Sequence, residues 1–160
     1  MGIVAFFAKR AVPGCQGGDG ISLCTPAIGK MCFLIHHFLE NSADRLPEKE
    51  AVVDNGLRFS FSDIEIKANK ITNWLLELGI CKGDRVGLLL RNSVEYISAY
   101  YGILKAGAMA VPFNTDLGFQ ELEEIMNDCS PRVLITQPEL QKKFSKFHEN
   151  MPKGLLAIGD

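Results

Sequence analysis

The chain has 160 residues, of which 47% are hydrophobic, and its 17 basic and 19 acidic residues give a net charge of −2 at pH 7. This length and composition are sufficient for one globular domain with a buried core. Because the two signs of charge are interspersed and the apolar runs are far shorter than the roughly 20 residues of a membrane-spanning helix, we expect neither a nucleic-acid partner nor a transmembrane segment.

Residues 1–30 differ from the rest because they are rich in glycine and proline and have no helical or strand period. This composition predicts a disordered or spurious N-terminal extension. A signal peptide does not fit, since the apolar stretch 3–8 is too short and Lys9-Arg10 follow it instead of preceding it. We expect Met31 to be the true start and residues 31–160 to form the folded part.

Orderly patterns begin after Met31. Apolar residues at 33, 34 and 37–39 fit one face of a short helix that ends before Pro47. Residues 51–53 and 57–60 then flank Asp54-Asn55-Gly56, which tolerate the left-handed backbone of a tight turn and so predict a β-hairpin. Two strands are marginally stable alone, so we expect the hairpin to pack on a larger body.

A second helix is predicted from its capping residues. Ser62 and Glu65 form an S-x-x-E capping box, and Phe61 and Ile66 are placed to make a hydrophobic staple. Gly79 supplies the left-handed residue that ends the helix.

The same helix has a continuous apolar stripe. Its members recur at three- and four-residue steps: Ile64, Ala68, Ile71, Leu75 and Leu78. Trp74 widens this stripe, and core packing is favoured there over a ligand-stacking role.

From residue 85 onward, short apolar runs alternate with helical patterns. Strands are predicted at 85–90, 108–111, 132–136 and 155–158, and helices at 92–107, 119–129 and 138–148. The first of these helices is expected to be capped by Asn92 with Glu95, and to bury Val94, Ile97, Tyr101 and Leu104. The second is expected to bury Phe119, Leu122, Ile125, Met126 and Cys129. This alternation predicts an α/β fold with a mostly parallel sheet and helices on both faces. The sheet is built from βαβ units, which follow the N-terminal helix and the β-hairpin.

Side chains able to carry chemistry are scattered. Five cysteines are an odd number without a C-x-x-C pair, which argues against a zinc site or a disulfide framework and predicts reduced thiols. His36 and His37 fall on the first helix and are assigned no role. Four carboxylates are expected to form a solvated helix face: Glu121, Glu123, Glu124 and Asp128. We therefore predict no catalytic, cofactor-binding or metal-binding residue in this chain.

The strand-to-helix turns also lack a phosphate-binding pattern. Arg91-Asn92-Ser93 contains no glycine, so neither G-x-G-x-x-G nor the P-loop pattern is present. Without glycine, Cβ atoms keep phosphate oxygens away from the backbone N–H groups. Ser93 could attract an anion weakly at the helix N-terminus, but capping is favoured. Asn114-Thr115 can likewise start the next helix without a ligand.

Four blocks of the sequence stand out together: residues 59–64 with Ala68-Asn69, residues 82–86 with 91–96, residues 104–114 (LKAGAMAVPFN) and residues 132–136. In this order they resemble the blocks of the adenylate-forming (AMP-dependent) acyl-CoA synthetase/ligase superfamily. Together they cover roughly residues 31–137. The resemblance implies that residues 31–160 are the N-terminal portion of an AMP-binding domain, an incomplete piece of a larger N-terminal domain.

The resemblance also implies a reaction for a complete member. A carboxylate attacks the α-phosphate of ATP to give an acyl-adenylate and pyrophosphate, and in the ligases the coenzyme A thiol displaces AMP; Mg²⁺ offsets the phosphate charge. The family's Ser/Thr/Gly-rich phosphate loop and its catalytic Lys have no matching positions in this chain. ATP, Mg²⁺ and coenzyme A are thus implied for the full-length enzyme, and no cofactor for these 160 residues.

Two function hypotheses follow. The first is the N-terminal fragment of an ATP-dependent, AMP-forming acyl-CoA ligase of fatty acid metabolism, truncated, cytoplasmic and inactive alone. The alternative is a non-catalytic interaction module or one half of a split adenylating enzyme. The first is favoured because the sheet would end with an uncovered parallel edge, which a purpose-built module would be expected to protect. A carboxylic acid is the implied substrate, and its identity is left open.

Overall fold

The computed structural model describes residues 5–6, 33–141 and 154–158. The elements in chain order are β1 (Ala5–Phe6), α1 (His36–Arg45), β2 (Glu50–Asp54), β3 (Leu57–Ser60), α2 (Phe61–Glu77), β4 (Arg85–Leu89), α3 (Val94–Lys105), β5 (Met109–Pro112), α4 (Phe119–Cys129), β6 (Val133–Thr136), α5 (Pro138–Gln141) and β7 (Gly154–Ala157). The pairs β4–β5, β4–β6 and β6–β7 are parallel, and β1 joins β7 antiparallel, in the order β1-β7-β6-β4-β5. The predicted mostly parallel α/β sheet is confirmed.

Helices cover both faces of the sheet, as the apolar strands predicted. Val86 and Leu88 of β4 belong to one buried cluster with Ile71 and Leu75 of α2 and Ile103 of α3. On the other face lies a second cluster, made of Leu89, Phe113, Leu122, Met126, Leu134 and Leu140. Successive residues of a strand point to opposite faces, so a strand that is buried on both sides is apolar throughout.

The hairpin β2–β3 packs on α1, α2 and the start of α3 through a third cluster. Leu39, Ile64, Ala68 and Val94 form its buried centre, and Ala51, Val52, Phe59, Phe61, Ile97 and Tyr101 pack around it. Asn55 and Gly56 adopt the left-handed turn, with φ of 47° and 82°. The hairpin and its need for a larger body are both confirmed.

Helix α3 is buried over a different arc from the predicted one. Its buried residues are Val94, Ser98, Ala99, Gly102 and Ile103, whereas Ile97, Tyr101 and Leu104 are only half-buried. The reason is that α3 packs against the sheet on one side and against α2 on another, so a single apolar stripe does not describe it. In α4, Ile125 was expected to be buried and is 40% exposed.

The capping box of α2 lies two residues earlier than predicted. Ser60 Oγ accepts a hydrogen bond from the Asp63 N–H at 3.2 Å, and the Asp63 carboxylate accepts one from the Ser60 N–H at 2.9 Å. The Ser60 backbone N–H, and after it the Ser60 hydroxyl, lower the pKa of Asp63 from its usual 3.8 by stabilising the ionised carboxylate. The predicted box of Ser62 and Glu65 is wrong, since both residues lie inside the helix.

This register also changes the hydrophobic staple. Counted from Ser60, the staple positions are Phe59 and Ile64, which share the third cluster. Ile66, predicted for this role, is 51% exposed. Both S-x-x-acid patterns can cap a helix. With Ser60 as the cap, the helix begins at Phe61, and Phe59 and Ile64 pack in the third cluster.

Replacing Ser60 by alanine is expected to lower the free energy of unfolding by about 1 kcal/mol, because the Asp63 N–H loses its side-chain acceptor. Ser62→Ala is the matched control and is expected to cost less than about 0.5 kcal/mol. Urea denaturation of the two variants measures both values. A larger loss for Ser62→Ala would contradict the register seen here.

Several remaining predictions can be compared with the structure. Gly79 and Gly107 end their helices with φ of 76° and 75°, as predicted. The expectation that the thiols are reduced is wrong for Cys81, which is disulfide-bonded, whereas Cys129 is free. Ala5–Phe6 form a strand, and the rest of residues 1–30 lies outside the described residues, so the disordered extension stays a prediction. Helix 138–148 is described only to residue 141.

Candidate functional site at the carboxyl ends of the parallel strands

Open α/β sheets bind ligands outside the carboxyl ends of their strands, where loops from neighbouring strands meet. In this chain that edge is formed by the segments following β4, β5 and β6. Arg91 after β4 donates its N–H to Gln137 Oε1 after β6, at 3.2 Å. The register aligns Leu89 with Thr136, so these loops leave the sheet side by side.

The N-terminus of α3 opens onto this edge and already carries a negative charge. The Val94 N–H donates to the Asp54 carboxylate at 3.0 Å, across 40 residues of sequence, and the Tyr96 N–H donates to Ser93 Oγ at 3.3 Å. Ser93 therefore caps the helix as favoured, while the proposed capping role of Asn92 is wrong. Asp54 complements the positive end of the helix dipole and ties the hairpin to it.

Sequence reasoning placed Asp54 in the hairpin turn and missed this role. A capping residue within three positions of a helix start leaves a local pattern. A carboxylate that arrives from a hairpin 40 residues away leaves none, and only the packing of the hairpin on α3 reveals it.

Thr136, at the end of β6, is fully buried at this edge. Of the side-chain atoms that the structure describes, its Oγ1 is one of two that are buried without a hydrogen-bond partner, the other being Glu65 Oε2. A buried hydroxyl without a partner costs free energy, so Thr136 is a polar group available at the strand ends.

The segment after β5 forms a local turn. Asn114 Oδ1 accepts the Asp116 N–H at 3.0 Å, and the next helix begins only at Phe119. Glu121 closes that helix start by accepting the Gly118 N–H at 3.0 Å. The expectation that Asn114-Thr115 can start this helix is wrong, because its N-cap is Gly118 and a turn lies between Asn114 and that residue.

These residues do not fit the phosphates of ATP. At the α3 N-terminus, two of the backbone donors are engaged by Asp54 and Ser93, and the Asp54 carboxylate would repel a phosphate. The adjoining segment 91–93 has no glycine that would let phosphate oxygens approach the backbone. No step of nucleotide chemistry can be derived from this edge.

The order of the strands is held partly by residues of the resemblance blocks. Asp84, before β4, pairs with Arg132, before β6, at 2.5 Å, and its carboxylate also accepts the Cys81 N–H at 2.8 Å. The Gly83 N–H donates to the Gly107 carbonyl at 3.0 Å, which joins the turn before β4 to the turn before β5. These residues, which come before β4, β5 and β6, thus build the sheet's amino-terminal edge, opposite the candidate site.

In the described residues, no helix combines the length and the apolar composition that crossing a bilayer requires.

A protein-family model described as "AMP-binding enzyme" matches residues 39–158. Among curated proteins, the chain is 36% identical over 103 residues to surfactin synthase subunit 1 of Bacillus subtilis (strain 168), covering 64% of this chain and 3% of that protein. It is 39% identical over 99 residues to the long-chain-fatty-acid–CoA ligase FadD13 of Mycobacterium tuberculosis, covering 61% of this chain and 20% of that protein.

A solved structure of another CoA ligase has a similar fold. A crystal structure of the anthranilate CoA ligase AuaEII in complex with anthranoyl-AMP superposes with a TM-score of 0.75 and 32% identity, over 80% of this chain and 25% of that one. The chain therefore spans a quarter or less of the length of these three similar proteins.

Proposed function

Because the chain belongs to the AMP-binding enzyme family of adenylate-forming ligases, we propose that it is the N-terminal part of an AMP-forming acyl-CoA ligase, inactive by itself. The observation that carries this proposal is the joint similarity to FadD13, at 39% identity, and to the anthranilate CoA ligase AuaEII, at a TM-score of 0.75. Both are named as CoA ligases. The proposed overall reaction converts a carboxylic acid, ATP and coenzyme A into an acyl-CoA thioester, AMP and pyrophosphate.

In this proposal, the described residues act as a scaffold. The parallel sheet supplies a rigid base, and Asp54, Ser93 and Gln137 order the loops at its carboxyl ends. Binding of the ATP phosphates and Mg²⁺ belongs to residues outside this chain, because the turn 91–93 and the α3 N-terminus do not fit them. A cytoplasmic location and a role in fatty acid metabolism are further parts of the proposal.

Two alternatives make different predictions. A peptide-synthetase adenylation domain is supported by the 36% identity to surfactin synthase subunit 1. A stand-alone interaction module, or one half of a split enzyme, would keep the sheet as a scaffold for a separate chain. The mass of the native product distinguishes these three possibilities.

The mass of the protein should be measured in its own cells, with detection of peptides from residues 33–141. We expect a product several times heavier than 17.7 kDa, since the aligned segment is 20% of FadD13. A product of synthetase size, in which the segment is about 3%, would support the adenylation domain instead. A product of 17.7 kDa or slightly less would favour the module or split enzyme.

Enzymatic activity can be tested with two proteins. The 160-residue protein, incubated with Mg²⁺-ATP and a panel of fatty, aryl and amino acids, is expected to release no pyrophosphate above background. A FadD13 chimera whose 99 aligned residues are replaced by the residues of this chain that align with them is expected to form pyrophosphate from a fatty acid. Release by the isolated chain would disprove the claim of inactivity, and a folded but inactive chimera would count against the ligase scaffold.

A further inference from the structure

The first turn of α1 brings two imidazoles and one carboxylate together. His36 and Glu40 are four residues apart and share a helix face, and His37 is adjacent. One nitrogen or oxygen atom of each residue lies within 4.8 Å of the others, and the two imidazole centroids are 4.6 Å apart. From this juxtaposition we propose that α1 binds one divalent transition-metal ion of the Zn²⁺ class through His36, Glu40 and His37.

The donor set determines the class of ion. Two nitrogens and one carboxylate oxygen match the preferences of Zn²⁺, Ni²⁺ and Cu²⁺, whereas Ca²⁺ and Mg²⁺ prefer oxygen ligands alone. All three residues are half-buried, so an ion can enter from solvent. Three protein ligands leave at least one coordination position for water or for a further group.

The charges around Glu40 favour a bound cation. Lys105 Nζ is 3.2 Å from the Glu40 carboxylate and also pairs with Glu65. Two carboxylates share one ammonium group, which leaves one negative charge uncompensated. A metal ion at Glu40 would take up that charge, while Lys105 remains paired with Glu65.

Burial lowers the pKa of His36 from its usual value, which favours the neutral imidazole that a metal ion binds. His37 and Lys105 lower this pKa further, and Glu40 and Glu65 oppose them.

His37 must exchange a hydrogen bond to take part. Its Nδ1 accepts the Leu34 N–H at 3.2 Å. A neutral imidazole has one nitrogen with a free lone pair, so coordination requires that this bond be given up, at a cost of about 1 kcal/mol. His36 and Glu40 are therefore the principal ligands, and His37 is the third.

The test is a titration of the 160-residue protein with Zn²⁺ by calorimetry and with Co²⁺ by absorption spectroscopy. We expect one ion per chain and a cobalt spectrum without a thiolate charge-transfer band. His36→Ala and Glu40→Gln should each weaken Zn²⁺ binding by more than about tenfold. The matched controls are His148→Ala, at the third histidine of the sequence, and Glu48→Gln, at an exposed glutamate; both should bind as the unaltered chain does.

The proposal would be overturned by equal Zn²⁺ affinity in His36→Ala and His148→Ala, or by a cobalt–thiolate band that assigns the ion to cysteine. A measurement on the unaltered chain guards against misfolded variants. Substoichiometric Ni²⁺ should broaden the ring-proton resonances of His36 and His37 before those of His148. Broadening that begins at His148 would also refute the site.

Discussion

Gly102→Val is expected to lower the free energy of unfolding by about 3 kcal/mol. Gly102 lies where α3 crosses α2, and a Cβ there would be 2.9 Å from both the Ala68 carbonyl oxygen and Ile71 Cβ. Thr72 Oγ1 holds the same crossing by donating to the Ala68 carbonyl at 2.9 Å or to the Gly102 carbonyl at 3.0 Å. Because the obstructing atoms include backbone, the helices must separate to admit a side chain.

As a matched control, glycine is replaced by serine both at Gly102 and at Gly118. Gly118 has a φ of −67°, and an added Cβ there meets only Glu121 Oε2 at 3.6 Å. Gly118→Ser should be neutral or slightly stabilising, since serine is a favoured N-cap residue, whereas Gly102→Ser should destabilise clearly. Urea midpoints with unchanged m-values measure this difference. Equal midpoints would show that the α2–α3 contact is looser than described.

Lys105→Met is expected to cost about 3 kcal/mol, the second large effect. The Lys105 side chain is 10% exposed and lies between Glu65, which is 19% exposed, and Glu40. Glu65 Oε2 is already buried without a hydrogen-bond partner among the described residues. Removing the ammonium group leaves two neighbouring carboxylates without a counter-charge, and the helices α1, α2 and α3 lose their common ionic contact.

A double-mutant cycle separates the charge effect from lost packing. Lys105→Met with Glu65→Gln should recover most of the lost stability, because the most buried carboxylate is then neutral. Arg58→Met is the matched control at an exposed ion pair, where the side chains of Arg58 and Glu50 are 72% and 41% exposed, and it should cost less than about 1 kcal/mol. A double variant as unstable as Lys105→Met would instead assign the loss to packing of the lysine stem.

Patterns within a few residues were reliable guides to the elements of this chain. The turn residues 54–56, the stripe Ile64 to Leu75 and the glycines at 79 and 107 each act through neighbours on the same element, so their meaning is local. The alternation of strands and helices likewise required the parallel, doubly covered sheet, because strands buried on both faces must be apolar throughout. The family resemblance rested on these local blocks and is confirmed by the match over residues 39–158.

The capping predictions were wrong where two nearby residues could each cap the same helix. Ser60 and Ser62 each begin an S-x-x-acid pattern, and the end of β3 at Ser60 together with the packing of Phe59 on buried Ile64 selects Ser60. Asn92 and Ser93 are both good capping residues, and the structure has Ser93 at the N-cap, where its Oγ accepts the Tyr96 N–H. A preference of a few tenths of a kcal/mol between caps is easily outweighed by the burial of one aromatic side chain.

The amino-acid sequence by itself determined the fold class, the order of the elements and the family, because periodicity, turn chemistry and block order are encoded in contiguous residues. The tertiary structure alone decided that Asp54 caps α3, that Gly102 is the close contact of two helices and that Lys105 joins Glu40 to Glu65. Each of these contacts joins residues about 30 or more positions apart. Their partners are selected by how whole helices and the hairpin pack, which no local pattern records.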